Sequence, residues 1–383
     1  MFKIVEPYLE PIDIFDKIGE RKSELSDENL GLICGLIKER KPQKIVEVGV
    51  SAGGTTCVIL NCLEKLNMDS EVYSVDLSYS YHYDTSKRCG YQIEDAAQCL
   101  SNMKNHRLFL GRNIAQVIDN EIGHGIDMLI LDTIHYLPGE LLDFLVCLPY
   151  LSRQAVVILD DLTFAHGGES TSAVATKILY DLMVVTKVFP PNVIYPKMGG
   201  GILNEDTRKY RLDYFSGLMT PWGYAPKPEE IEDYRSIIRK QYGEDEILLF
   251  EEAVRINMQT LEKRKNSRKE IDSLLQVCQR GQNVLIYGAG QRGSALAKFL
   301  KERTKATIGY VISDDRNKEE FKNKDFPVYS LGEVMENKEV YQFIVAAASS
   351  EVRQNLVNRK INYLDIPNYI FPFIKDYARL LCE

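Results

Sequence analysis

The chain has 383 residues, 45% hydrophobic and 27% charged, which marks an ordinary globular protein with room for two domains. Its net charge of −8 argues against a nucleic-acid backbone as the main partner, and no apolar run approaches the ~20 residues that cross a bilayer. The eight cysteines lack CxxC or Cys/His spacing, which argues against a zinc framework or disulfide scaffold, and the N-terminus has no long apolar core, so a reduced, cytoplasmic protein without a signal peptide is expected.

In chain order, the first helix is predicted over Asp27–Arg40, where Leu30, Ile33, Leu36 and Ile37 recur at helical spacing. Residues 45–56, IVEVGVSAGGTT, read as a strand at 45–48, a glycine turn and the start of a helix over 55–66. Glycine in such a turn lets a ligand approach the backbone. A strand at 72–75 ends in Asp76. The segment that follows, SYSYHYDTSKRCGYQ, is rich in aromatics and reads either as a surface for a sugar or aromatic face or as a lid packed on itself. Further strands are predicted at 107–110, 127–131 and 155–159, with helices at 91–104, 113–121 and 139–147. KMGGGILN, at 197–204, reads as a tight hairpin edging the site in the final antiparallel strands, or as a plain structural turn.

This alternation predicts an α/β fold with a doubly wound parallel sheet over residues 1–225. Ligands bind such sheets outside the carboxyl ends of the strands. The residues at those ends are Glu47 and Gly49, Asp76, Gly111, Asp132, and Asp160 with Asp161, all polar or glycine. Residues 226–280 are charged with a helical pattern and read as a connector, with a homodimer contact or a cover for the first domain as its two uses. From Asn283 a second, smaller Rossmann-like α/β domain is predicted over 281–383, opening on NVLIYGAGQRG.

Glu47-x-Gly49-x-x-x-Gly53 followed by Asp76 resembles the S-adenosylmethionine pocket of class I methyltransferases. The resemblance implies that Glu47, Gly49, Ser51 and Gly53 lie along the methionine part of the cofactor. It implies that Asp76 accepts hydrogen bonds from the ribose diol, as an ionised carboxylate can. It places LGRN, with Gly111 and Asn113, near the adenine, and Asp132 near the methionine amino end. A dinucleotide fold is the competing reading, but Ser51 stands where a phosphate fingerprint has its second glycine.

Asp132, Asp160 and Asp161 end neighbouring strands, whose tips lie about 5 Å apart. Three converging carboxylates repel one another, and a hard divalent cation such as Mg²⁺ resolves the conflict. Helix capping is the alternative use of Asp160 and Asp161. The arrangement resembles the metal-dependent O-methyltransferases, both the catechol type and the macrocin-like enzymes of sugar hydroxyls. That resemblance implies metal ligation by all three. A base must also take the hydroxyl proton. His135, three residues after Asp132, is the leading candidate, with Asp132 or Asp161, if one stays off the metal, and His166 as others; a purely structural role for His135 stays open.

In the C-terminal segment Gly288-x-Gly290-x-x-Gly293 follows a strand, opens a helix and is followed by Asp314 at the next strand end, a nucleotide-binding pattern. It resembles the small Rossmann-like domains attached to sugar-modifying enzymes, which implies a nucleotide-sugar or related ligand. The expected activity is therefore methylation of a small-molecule hydroxyl on a sugar, glycan precursor or natural product, with nucleotide-sugars and glycosides among the substrates. Three rivals remain: an NAD(P)-dependent or nucleotide-sugar-binding protein working through GAGQRG, a scaffold, and a cephalosporin hydroxylase-like chemistry on the same fold.

Overall fold

The computed structural model describes residues 2–20, 23–164, 173–191, 196–278, 283–312, 325–346, 350–366 and 370–375. The chain divides into two compact units, Met1–Met258 and Gln259–Glu383. The division falls inside one long helix, Glu244–Cys278.

The first unit is built on eight strands: β1 (Phe2–Ile4), β2 (Lys44–Val48), β3 (Glu71–Asp76), β4 (His106–Leu110), β5 (Ile126–Leu131), β6 (Leu151–Leu159), β7 (Thr186–Phe189) and β8 (Gly199–Ile202). They lie in the order β1-β7-β8-β6-β5-β2-β3-β4. Only β8 runs against its neighbours, pairing antiparallel with β6 and β7. The central strands are buried along both faces, which is why they read as apolar runs rather than as alternating patterns. The strand order turns back between β2 and β5, so the crevice for a ligand opens above those two tips.

A short helix, Ile14–Ile18, comes first; the predicted helix spans Asp27–Arg40, with Ser26 capping it by accepting from the Asn29 N–H, worth about 1 kcal/mol. It is buried all round rather than on one stripe. A Cβ on Gly31 would lie 2.7 Å from Leu9 and one on Gly35 2.3 Å from the Glu6 carbonyl, so these glycines let the N-terminal segment cross the helix closely. Helices Gly54–Lys65 and Gly139–Cys147 also form where expected. The helix predicted over 91–104 stops at Ala96, and that over 113–121 is a 3-10 turn, Ile114–Gln116, then a π-type turn, Ile118–Ile122.

KMGGGILN lies among antiparallel strands as expected, but its glycines do not form the turn: Gly199–Ile202 is strand β8 itself. A Cβ on Gly200 would meet the Val157 carbonyl at 2.0 Å and one on Gly201 the Val185 side chain at 2.2 Å. These glycines serve close packing in the sheet, not chain reversal. The charged stretch after residue 226 forms helices Pro228–Gln241 and Glu244–Cys278. The first packs onto the body of the first unit, with Tyr234 donating to Asp143 and Tyr242, just past its end, to the Leu145 carbonyl, both at 2.6 Å.

The second unit holds a five-stranded all-parallel sheet, β9 (Asn283–Tyr287), β10 (Thr307–Ile312), β11 (Val328–Ser330), β12 (Tyr341–Ala346) and β13 (Tyr363–Ile366), in the order β11-β10-β9-β12-β13. Gly288 follows β9 with φ +98°, and Gly290 caps helix Gln291–Arg303. A Cβ on Gly293 would sit 2.0 Å from the Gly288 carbonyl, so Gly293 lets the helix pack on the turn. Asp314, the expected ribose-side acid, lies outside the described residues, as does His166. The Rossmann-like fold predicted for both parts of the chain is the fold observed. Among the described residues no helix is long and apolar enough to cross a membrane.

Candidate active site

The glycine turn after β2 is fixed by its neighbours. Gly49 has φ +94°, and a Cβ there would lie 1.7 Å from the Asp132 carbonyl. Its glycine is thus demanded by the loop after β5. The Gly49 N–H donates to the Val75 carbonyl and the Asp132 N–H to the Val48 carbonyl, each at 2.9 Å, which ties three strand ends together. Gly53, at φ +95°, packs against Ile93 and Gly90. Ser51 adopts φ +52° and donates its hydroxyl to Glu24 at 2.9 Å.

Asp76 stands beside this turn, as the sequence predicts, but its carboxylate is already engaged. Oδ2 accepts from the Val50 and Ser51 N–H groups at 2.9 and 3.1 Å, and Oδ1 from the Ser78 N–H at 2.7 Å. Asp76 therefore shapes the turn as well as facing the space above it. Glu47 points the other way. Its Oε2 accepts from the hydroxyls of Thr56 and Ser74, while its Oε1 is buried with no partner. Burial pushes this carboxyl up to about 7, with Asp76 adding to the rise. Glu47 supports the turn from beneath and does not line the cavity.

That cavity, of about 680 Å³, opens above β2 and β5. Gly49, Ser51, Asp76, Asn113 and Asp132 line it; Glu47, Gly53 and Gly111 do not. Of the insertion Ser78, His82 and Cys89 line it, and among its aromatic rings His82 alone does. Tyr81 instead packs on Tyr83 and Tyr91, with ring centroids 5.6 Å apart in each case, so the segment is largely folded on itself.

The same cavity is also lined by Asp132, His135, Asp160 and Asp161. His135 bridges two carboxylates: Nδ1 is 2.8 Å from Glu140 Oε1 and Nε2 is 3.0 Å from Asp161 Oδ2. Burial opposes its charge, but the bonds to Asp161 and Glu140 prevail and raise its pKa to about 10. Lys197 places Nζ 2.9 Å from Asp161 Oδ1 and 4.0 Å from Asp160 Oδ2. Burial, with Asp161 adding, raises Asp160 to about 6, and Asn29 donates to it at 3.4 Å. Asp132 is pushed well above the carboxylate range by burial and then by Asp160.

The expected cation site is not shown. The oxygen chemistry of the three aspartates suits a hard ion, but among the described residues no group of three His, Cys, Asp or Glu side chains is arranged to hold one. Asp161 already has its counter-charges in Lys197 and His135. In this arrangement the aspartates do not fit a divalent ion, and no step below depends on one. Among the described residues neither Asp160 nor Asp161 caps a helix; Asp161 sits at φ +53° on a loop.

Sequence reasoning did not find Lys197, Glu140, Asp143, Tyr224 or Tyr234, all but Glu140 lining this cavity. Glu140 had a faint signal, an acid five residues after His135 at a helix start. The others arrive from distant segments and had none.

With this geometry in hand, residues 46–162 match a family model described as a methyltransferase domain. The match falls on the Rossmann-like sheet that the sequence predicts and spans under half of the chain. No curated protein matches the chain. Solved structures similar to it include the O-methyltransferase TomG from Streptomyces achromogenes, involved in tomaymycin synthesis and solved with SAM, at 15% identity, covering 51% of this chain and 88% of that one, TM-score 0.37. Another is an O-methyltransferase from Bacillus cereus in complex with SAH, at 14% identity, covering 51% and 89%, TM-score 0.37. A third is the SAH-bound methyltransferase PaMTH1 from Podospora anserina, at 11% identity, covering 53% and 91%, TM-score 0.38.

Proposed function

We propose that the first unit is an S-adenosylmethionine-dependent O-methyltransferase acting on a small-molecule hydroxyl, of the sugar, glycan-precursor or natural-product kind. One observation carries this reading: a single cavity is lined both by the glycine turn with Asp76 and by the His135 cluster. A sulfonium donor laid along the turn directs its methyl group toward that cluster.

The reaction breaks the S–CH₃ bond and forms an O–CH₃ bond in line, and the hydroxyl proton must leave to a base. Glu140 fixes the His135 ring through Nδ1. Nε2 faces Asp161 until a substrate hydroxyl takes that place. With one carboxylate neighbour instead of two, His135 titrates lower and becomes a proton acceptor. Lys197 meanwhile keeps the charge of Asp161 balanced. Asp132, raised by its neighbours, is the second candidate base.

Calorimetric titration of the whole chain with S-adenosylhomocysteine and with NADH tests the reading. Micromolar binding of the first and none of the second is expected. Binding of NADH alone overturns it in favour of the C-terminal GAGQRG turn. Isotope-labelled methyl transfer to a panel of glycosides and nucleotide-sugars, read by mass spectrometry, then identifies the acceptor.

A further inference from the structure

Asn113 has the place that the sequence pattern links to adenine, yet its amide is held within the protein. Oδ1 accepts from the Gln116 N–H at 3.1 Å and Nδ2 donates to Asp233 Oδ2 at 2.9 Å. The turn Ile114–Gln116, the helix Gly139–Cys147 and the helix Pro228–Gln241 pack together beside it. This corner contains a carboxylate that no motif pointed to.

Asp143 is 5% exposed, and it lines the cavity. Its Oδ1 accepts from the Tyr234 hydroxyl at 2.6 Å and its Oδ2 from the Thr133 hydroxyl at 3.2 Å. Among the described residues no Lys, Arg or His forms an ion pair with it. A carboxylate has about four lone-pair directions, and two are filled. Burying such a group with hydroxyl partners alone is costly, and a further N–H donor from the cavity side relieves the cost.

Adenine carries that donor. We propose that Asp143 accepts a hydrogen bond from the exocyclic amine of the donor nucleoside and so selects adenine; this rests on the methyl-donor reading above. Tyr234 and Thr133 act as positioning residues for it. Two consecutive residues of one helix then serve the nucleoside end, Asp233 through Asn113 and Tyr234 through Asp143. The helix Pro228–Gln241 lies beyond the segment that matches the methyltransferase family, so the match gives no hint of this role.

The test compares S-adenosylhomocysteine with its 6-deamino analogue, in which purine replaces adenine, by calorimetric titration of the full chain. Burial pushes the Asp143 carboxyl up to about 7, so the titration is run at about pH 8.5, where the wild type is expected to prefer the amine-bearing ligand by about 10- to 100-fold, the value of one hydrogen bond to a charged acceptor. Asp143→Ala is expected to bind the two ligands within about twofold of each other, and Tyr234→Phe to give an intermediate ratio. A wild type that binds both equally overturns the proposal without needing any variant to fold. An Asp143→Ala protein that keeps the full preference overturns it too. If the wild type binds neither ligand, the methyl-donor reading itself fails, which is a separate result.

Discussion

Glu47→Gln separates support of the glycine turn from contact with a ligand. Glu47 is 1% exposed, and burial lifts its carboxyl from 4.5 to about 7, with Asp76 adding to the rise and the hydroxyls of Thr56 and Ser74 opposing it. A folded-state value above the unfolded one means that the neutral acid favours the fold. The contribution is therefore whole below the unfolded pKa and is lost as pH climbs through the folded one. At about 1.4 kcal/mol per pKa unit the full window is worth about 3 kcal/mol. About 2 kcal/mol of that falls between about pH 5.5 and about pH 8.

Glutamine keeps the shape and does not titrate. It also places an amide N–H₂ where Oε1 has no partner, a pH-independent cost of about 1–3 kcal/mol. The variant is thus expected to be less stable than the wild type at the lower pH and to gain about 2 kcal/mol on it at the higher. Urea unfolding followed by tryptophan emission measures this. Trp222 is the one tryptophan of the chain and is buried in the first unit, so the signal reports that unit alone. A stability gap that is the same at both pH values refutes the reasoning.

Gly49→Ala drives a Cβ against the Asp132 carbonyl at an unfavourable φ, so it is expected to lower stability by more than ~1 kcal/mol and to abolish S-adenosylhomocysteine binding, read by thermal shift. His135→Ala is expected to reduce turnover by at least about 100-fold while leaving S-adenosylhomocysteine affinity within about threefold; affinity and rate falling together assign His135 a structural role instead. Because Lys197 and His135 already balance Asp161, turnover is expected to survive chelation by EDTA, and Lys197→Met to raise Mg²⁺ affinity measured by calorimetry. Tight Mg²⁺ binding by the wild type, or loss of turnover on chelation, defeats that account.

Much of the first unit was legible because its central strands are buried on both faces, and burial writes itself as runs such as IVEV and IDMLIL. The residues at their tips followed, since a parallel sheet sends every carboxyl end to one edge. The direction in which each side chain points was not legible. Glu47 and Asp76 look equivalent in sequence, yet alternation along β2 turns Glu47 toward Thr56 and Ser74, beneath the turn, while Asp76 at the tip of β3 holds the turn from outside. Gly199–Ile202 misled for a related reason: a glycine run signals freedom at a turn and close approach in a sheet with the same letters.

By itself, then, the sequence determined two Rossmann-like folds, the crevice edge of the first, and the acids and histidine gathered there, because these follow from local periodicity and strand order. Only the tertiary structure decided which groups complete that edge. Lys197 reaches Asp161 from the approach to β8, and Tyr234 reaches Asp143 from a helix 91 residues along the chain. Such long-range pairs set the charge and hydrogen bonding of the site, and no local pattern encodes them, since nothing near Lys197 or Tyr234 in sequence distinguishes them from a solvated lysine or a core tyrosine.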